Sequence, residues 1–283
     1  MVDAAIKKAD VLIEALPFIR KFNKKVFVIK YGGSILGENR VRKSVLKDVA
    51  FLRYTGVKLV LVHGGGPAIT KRLNSKNKVS QFINGMRVTD EFTLGVVQEE
   101  LSKLNDLIVK EISSYGVGAV GLKANDNFLK ATKKKSKKDL GFVGEVIDFD
   151  VEKLNQIMEN DIAVISPMGV SEDAVTFNIN ADEVACFLAS KLGAEKLVLL
   201  TNVLGVMRDP RQNTSLIPTI KVKEAKQLIN RKTIDEGMIP KINAAVSAME
   251  SGVNKAHIVD AKIPHALLLE IFTNRGIGTE VVK

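Results

Sequence analysis

Two lysines in this chain sit where a backbone can handle phosphate. Lys30 closes the apolar, β-branched run Val26 to Ile29 and is followed by Gly32 and Gly33, and Lys241 follows Gly237 and Pro240. A lysine at the end of a buried strand is costly unless its ammonium meets an anion. Glycines beside it let backbone N–H groups approach that anion. The same residues also fit a lysine reaching out to water beside an ordinary turn. A second glycine run, His63-Gly64-Gly65-Gly66-Pro67, joins a strand to a helix, and free N–H groups at a helix start attract anions. It is neither a Walker sequence nor the spaced Rossmann fingerprint, so it indicates anion contact without indicating a fold. Arg87, delivered by a turn at Asn84-Gly85, has the planar fork that grips a carboxylate, although alone it also reads as a surface charge. Asn178 and Asp182 are four apart and would share a face if helical geometry holds across them. At a helix start they read equally as caps.

These groups need elements to hold them. Apolar, β-branched runs predict strands over 26–29, 58–62, 118–122, 162–166, 197–200, 256–259 and 280–282. Helical spacing predicts helices over 4–22, 41–55, 68–73, 90–115, 154–159, 183–191, 222–231, 242–250 and 264–272. Pro17 should kink or break the first of them, and Arg208, Asp209 and Pro210 should form a turn. The alternation of strands and helices predicts an α/β fold with a mostly parallel sheet covered on both faces. Ligands then bind at the carboxyl ends of the strands, where Lys30, both glycine runs, Ser166 and Asn202 fall.

Composition narrows the classes further. The single cysteine, Cys186, excludes an internal disulfide and fits a reducing cytoplasm. No run approaches a membrane span, and the first nine residues lack the apolar centre of a signal peptide. The excess of 42 Lys+Arg over 32 Asp+Glu gives a formal charge of +10, which suits anionic partners. Much of it is local, since residues 130–138 (KATKKKSKK) hold six lysines and no aromatic residue. Without aromatics, base stacking is unsupported. The stretch reads as a solvated hairpin or loop rather than an anion or nucleic-acid contact, and neither a nucleic-acid nor a membrane partner is expected.

Taken in this order and at these separations, Lys30-Tyr31-Gly32-Gly33-Ser34, His63 to Pro67, NGMRVTD at 84–90, FNINAD at 177–182 and Gly237 to Lys241 resemble the amino acid kinase family. Within it they are similar to the branch that phosphorylates N-acetyl-L-glutamate in arginine biosynthesis, over residues 11–282. The resemblance implies a three-layer αβα sandwich with an open, mainly parallel sheet. It divides the chain into an N-terminal kinked helix (1–25) and a kinase domain (26–283), with an acceptor lobe (26–175) and a nucleotide lobe (176–283). It implies transfer of the ATP γ-phosphoryl group to the acceptor's side-chain carboxylate, with Mg2+ held mostly by ATP oxygens and water rather than by protein ligands. Lys30 and Lys241 would flank the moving phosphoryl, Gly33 and Gly65 would donate N–H bonds to it, and Asp182 would hold both lysines. Gly65, Gly66, Arg87 and Asn178 would bind the acceptor, while Thr201, Asn202, Gly205, Met238 and Lys241 would border the nucleotide.

The stretch LIEALPFIRKF resembles the extension of the arginine-inhibited, hexameric members, trimers of dimers. It implies an L-arginine site at His257, Glu270 and Gly276. Three stretches depart from the family pattern: Thr201-Asn202 replaces Thr-Asp, residues 102–106 read SKLND, and residues 123–127 read KANDN. None removes a residue assigned to chemistry. A kinase for an aminoadipate derivative and a non-catalytic regulatory paralogue remain as alternatives.

Overall fold

The computed structural model describes residues 2–209, 212–230 and 238–283, so Pro210, Arg231 and Gly237 of the expected elements lie outside the described residues. From the start of the chain, α1 (Val2–Phe22) leads into β1 (Val26–Tyr31), the short α2 (Gly33–Leu36) and α3 (Asn39–Tyr54). Next come β2 (Lys58–His63), α4 (Gly66–Asn74), the hairpin β3 (Phe82–Ile83) and β4 (Met86–Arg87), and α5 (Glu91–Ser113). They are followed by β5 (Ala119–Leu122), the hairpin β6 (Leu129–Lys133) and β7 (Gly144–Phe149), α6 (Val151–Asn160), β8 (Ile162–Ile165), β9 (Met168–Val170) and β10 (Thr176–Asn178). The last group is α7 (Ala181–Lys191), β11 (Lys196–Thr201), β12 (Thr219–Lys221), α8 (Val222–Asn230), α9 (Ile239–Glu250), β13 (Lys255–Asp260), α10 (Ala266–Ile271) and β14 (Thr279–Val282).

Eight strands form the central sheet in the order β12-β14-β13-β11-β1-β2-β8-β5. All neighbours run parallel except β13 and β14. Successive side chains of a strand point to opposite faces, and both faces are covered. Val28, Val60 and Val62 join one core with Leu154 of α6, Leu188 of α7 and Ile242 of α9. Phe27, Ile29, Leu59 and Leu61 join the other with Leu46 of α3, Ile108 of α5 and Leu267 of α10. Burial on both sides is why the central strands read as unbroken apolar runs rather than alternating ones, and the expected three-layer sandwich is found. A smaller sheet, β10-β9-β6-β7, and the β3–β4 hairpin complete the strands. Among the described residues no helix is long and apolar enough to cross a membrane.

Several elements differ from expectation. Helix α1 runs through Pro17 without a break. The hydrogen bond that proline forfeits is one turn back at Ile13, whose side chain is exposed, so water can serve that carbonyl. The end of α1 docks by aromatic contacts, Phe22 on Phe27 at 5.2 Å between centroids and Phe18 on Phe272 at 6.4 Å. Its earlier residues Val11, Leu12, Ile13 and Leu16 face solvent. Gly33 opens the helix α2 rather than a simple turn. Strands β9, β10 and β12 were not anticipated, because three residues are too few to show a period.

Candidate active site

Strand β1 carries Lys30 to the carboxyl end of the sheet, where the lysine is only 9% exposed. Its Nζ lies 2.9 Å from Asp182 Oδ1. Asp182 sits in the first turn of α7, where negative charge suits the helix dipole, and Asn180 caps that turn by accepting from the N–H groups of Asp182 (2.8 Å) and Glu183 (3.4 Å). The ammonium is thus aimed by a carboxylate anchored on a second element. Helical geometry does not hold from Asn178 to Asp182: Asn178 ends β10, and Ile179 and Asn180 separate it from α7. Its Nδ2 donates instead to Thr89 Oγ1 at 3.2 Å, and Thr89 donates to the Arg87 carbonyl at 2.8 Å.

The two glycine runs meet. A Cβ added to Gly33 would stand 2.8 Å from the backbone nitrogens of Gly65 and Gly66. Only glycine permits that approach. As the N-cap and first residue of α4, Gly65 and Gly66 have N–H groups that no carbonyl of their own helix can reach. A Cβ at Gly66 would enter open space. Gly33→Ala is therefore expected to push the loops apart and cost about 1–3 kcal/mol, whereas Gly66→Ala should change stability by less than about 0.5 kcal/mol. Thermal melts of the two variants check the contrast.

Arg87, on β4, is 7% exposed. Its Nη2 donates to the Gly66 carbonyl (3.0 Å) and Thr70 Oγ1 (2.8 Å), its Nη1 donates to Ser80 Oγ, and the guanidinium lies 4.7 Å from the Phe82 ring centroid. Burial lowers its pKa from the ordinary arginine value. Among the described residues no carboxylate comes within ion-pair distance of it. A buried cation held only by neutral acceptors is a receptor for an incoming anion. Thr70, Ser80 and Thr89 escaped sequence reasoning, because isolated hydroxyls on separate elements carry no spacing signal.

The lysine-rich segment forms β6 and the loop toward β7. Lys133 pairs with Asp139 at 3.2 Å, and Lys134 reaches both Glu183 carboxylate oxygens at 2.7 Å. The loop lies on the Arg87 side of the site, where Thr89 donates to the Leu140 carbonyl and accepts from Phe142 N–H, and Asn178 N–H donates to the Phe142 carbonyl. Asn84, Met86, Val146, Asn180, Glu183 and Pro240 line a cavity of about 740 Å³ beside this hairpin.

Strand β11 ends beside β1, with Leu200 in register with Tyr31. Its last residue, Thr201, is buried and forms a tight turn by donating to the Val203 carbonyl (2.9 Å) and accepting from Val203 N–H (3.0 Å). That turn exposes Asn202, and Gly205 is packed against Leu216 and Thr279. Met238 is buried at the head of α9, Lys241 lies in the first turn of that helix, and α9 packs on α7. The groups expected for phosphoryl and nucleotide thus stand at one end of the sheet.

Residues 25–260 match the model of the amino acid kinase family. The chain belongs to the amino acid kinase family. It is 44% identical to an acetylglutamate kinase of Petrotoga mobilis over 98% of this chain and 94% of the other. It is 46% identical to one of Halothermothrix orenii over 98% of each, and 44% identical to one of Methanocaldococcus jannaschii over 98% and 97%. An N-acetylglutamate synthase from Neisseria gonorrhoeae, solved with coenzyme A and N-acetyl-glutamate, superposes with a TM-score of 0.88 at 28% identity, over 97% of this chain and 63% of that one. The same synthase has been solved with coenzyme A and L-arginine, and that structure superposes with a TM-score of 0.85 at 26% identity, over 97% and 65%. A carbamate kinase from Giardia, at 17% identity and a TM-score of 0.68, shares the fold. Among the described residues of this amino acid kinase family member, no group of three or more His, Cys, Asp or Glu could hold a metal ion.

A second cluster lies on β11, β13 and β14, where His257 is in register with Val198 and Glu280. His257, Glu270 and Gly276 line one cavity of about 230 Å³ together with Phe18 and Lys21 of α1, Lys196 and Glu280. His257 Nδ1 is 2.7 Å from Glu270 Oε1, and Lys196 Nζ is 2.8 Å from His257 Nε2. Glu270 Oε2 also accepts from the N–H groups of Ile277 (2.7 Å) and Gly278 (2.9 Å). Burial pushes the Glu270 carboxyl up, but His257 and those N–H groups outweigh it and hold the carboxyl below its usual range. Burial lowers His257 and holds Lys196 down at about 8. Lys196 and Glu280 were not anticipated, although a lysine opening the apolar run KLVLL was a visible signal.

Proposed function

We propose that this chain is an ATP-dependent kinase for the side-chain carboxylate of N-acetyl-L-glutamate, forming N-acetyl-L-glutamyl 5-phosphate in arginine biosynthesis. The observation that carries this reading is the likeness to acetylglutamate kinases over 98% of the chain. A buried Arg87 without a carboxylate partner among the described residues and an oriented Lys30 support it. In this reading the acceptor carboxylate oxygen attacks the γ-phosphorus, the bond to the β,γ-bridging oxygen breaks, and ADP leaves. Phosphoryl transfer asks the protein mainly to align two anions and offset the charge that moves. Lys30 and Lys241 neutralise that charge, Gly33 and Gly65 offer N–H groups to the phosphoryl oxygens, and Asp182 aims the lysines. Arg87, Asn178, Gly65 and Gly66 hold the acceptor, with Arg87 on the carboxylate that does not react. Thr201, Asn202, Gly205, Met238 and Lys241 border ATP. Mg2+ would be held mostly by the nucleotide's oxygens and water, where it would offset phosphate charge. The acceptor lobe is 26–175 and the nucleotide lobe 176–283, and the setting is cytoplasmic. The experiment traps acyl phosphate as hydroxamate from ATP with N-acetylglutamate, glutamate, aminoadipate or aspartate. Product with N-acetylglutamate supports the reading, product with an aminoadipate derivative alone redirects it, and no product with any acceptor refutes it.

The cavity at His257 supports feedback inhibition by L-arginine. A buried ammonium at Lys196 suits the ligand's carboxylate, and the carboxylates of Glu270 and Glu280 suit its guanidinium. Phe18 and Lys21 join α1 to the same cavity, and the exposed apolar residues of α1 suit packing between dimers in a homohexamer. Glu280→Ala should raise the arginine concentration for half inhibition at least about tenfold, the loss of one charge-assisted contact, and leave kcat without arginine within about twofold. Flat activity of the parent enzyme across millimolar arginine would refute the site.

A further inference from the structure

Beneath the glycine run of residues 64–66 lies a buried polar cluster whose chemistry the proposed reaction does not use. His63, Asn105 and Ser166 are 0%, 0% and 2% exposed and come from β2, α5 and the end of β8. His63 Nδ1 is 3.2 Å from the Gly64 carbonyl. A carbonyl only accepts, so Nδ1 carries the hydrogen and Nε2 is left as an acceptor. Nε2 faces two donors, Ser166 Oγ at 3.1 Å and Asn105 Nδ2 at 3.2 Å. Of its two hydrogens, Asn105 Nδ2 gives one to the Val164 carbonyl at 2.9 Å and shares the other between His63 Nε2 and Ser166 Oγ, each at 3.2 Å. The Val164 carbonyl fixes the amide's orientation, since a flip would set two oxygens against each other. Burial holds the imidazole pKa at about 4, so the neutral ring that this pattern needs is the one present.

The surroundings are shaped around this cluster. A Cβ at Gly121 of β5 would stand 2.1 Å from Asn105 Oδ1, so β5 leaves space for the asparagine. Leu101 and Leu104, one turn and one residue before Asn105, lie where a Cβ at Gly65 would stand, at 2.7 and 3.1 Å. Helix α5 therefore supports the glycine run by shape and, through Asn105 and His63, by hydrogen bonds to the peptide that begins it.

We propose that Asn105 and His63 are positioning residues: Asn105 ties the ends of β2 and β8 together and locks the His63 ring, whose Nδ1–H sets the Gly64 peptide and so aims the Gly65 and Gly66 N–H groups. Neither residue touches substrate. The proposal rests on the kinase reading, in which those N–H groups meet the phosphoryl and the acceptor. Misplacement of a transition-state contact by about 1 Å lowers rate by about 100-fold, whereas a residue that merely stabilises the fold changes melting temperature and the amount of active enzyme.

The test measures hydroxamate formation by the full chain at saturating ATP and N-acetylglutamate. Asn105→Ala should lower kcat about 10- to 100-fold with both KM values within about threefold. His63→Asn keeps an N–H at the place of Nδ1, and His63→Leu keeps only bulk. The asparagine variant should retain at least about ten times the kcat of the leucine variant, a comparison that stands even if Asn105→Ala fails to fold. An Asn105→Ala enzyme with kcat within twofold of the parent, or equal kcat for His63→Asn and His63→Leu, overturns the proposal. An inactive parent enzyme overturns the kinase reading instead, so the two failures are separate.

Discussion

Lys241→Ala is expected to lower kcat by about 10³-fold while the KM for ATP moves by less than about tenfold. The phosphoryl group in transit carries its charge on oxygens that face both substrates, so a cation in contact only at that stage contributes to kcat rather than to binding. Lys241 stands in the first turn of α9, and Lys30 lies next to the end of β1, held 2.9 Å from Asp182 on α7. Lys30→Ala should show the same pattern. If both lysines act on one group, as proposed, their losses should not add: the double variant should fall less than the product of the single effects. Steady-state rates of the four proteins test this. A single variant with parental kcat would remove that lysine from the chemistry.

Arg87→Ala is expected to raise the KM for N-acetylglutamate about 100-fold, the value of a lost charge-assisted contact of about 2–3 kcal/mol, with the KM for ATP within about twofold. The reason is positional. The guanidinium is buried, donates to the Gly66 carbonyl, Thr70 and Ser80, and has no carboxylate partner among the described residues. An acceptor carboxylate completes its charge balance. Arg87→Lys should recover little, since an ammonium cannot reproduce the planar fork and would leave hydroxyls on this pocket unserved. Equal increases in both KM values would mean that Arg87 shapes the whole site rather than the acceptor end.

The residues of the site were legible in sequence to the extent that their chemistry is local. Lys30 after four apolar residues and the run Gly64 to Gly66 announce a strand end and a helix start that tolerate an anion. Each fell where expected, at the carboxyl ends of β1 and β2. What was not legible depends on the third dimension. Nothing in spacing says that a Cβ on Gly33 would stand 2.8 Å from the backbone nitrogens of Gly65 and Gly66, or that Thr70, Ser80 and Thr89 converge on Arg87. The shared helix face supposed for Asn178 and Asp182 failed for a definable reason. Asn178 pairs in β10 with Met168 of β9, and a three-residue strand beside a helix start has no periodicity of its own. Pro17 does not end α1, since a proline costs one hydrogen bond locally while two aromatic contacts at the end of α1 hold the helix in place.

The lysine-rich segment shows what charge alone conveys. Its composition suggested a solvated hairpin, and β6 and β7 form that hairpin. Composition did not reveal that Lys134 grips Glu183, the neighbour of Asp182. That ion pair ties the hairpin to the helix start that orients Lys30.

The central claim, that a side-chain carboxylate of the acceptor attacks the γ-phosphorus of ATP, is tested most directly with N-acetylglutamate labelled with ¹⁸O in that carboxylate. Hydroxylamine attack at the acyl carbon then releases phosphate, and ³¹P NMR reads its isotope content. Attack by the carboxylate predicts phosphate carrying one ¹⁸O in step with hydroxamate formed. Unlabelled phosphate released at the rate of ADP would contradict it, because water would then be the nucleophile.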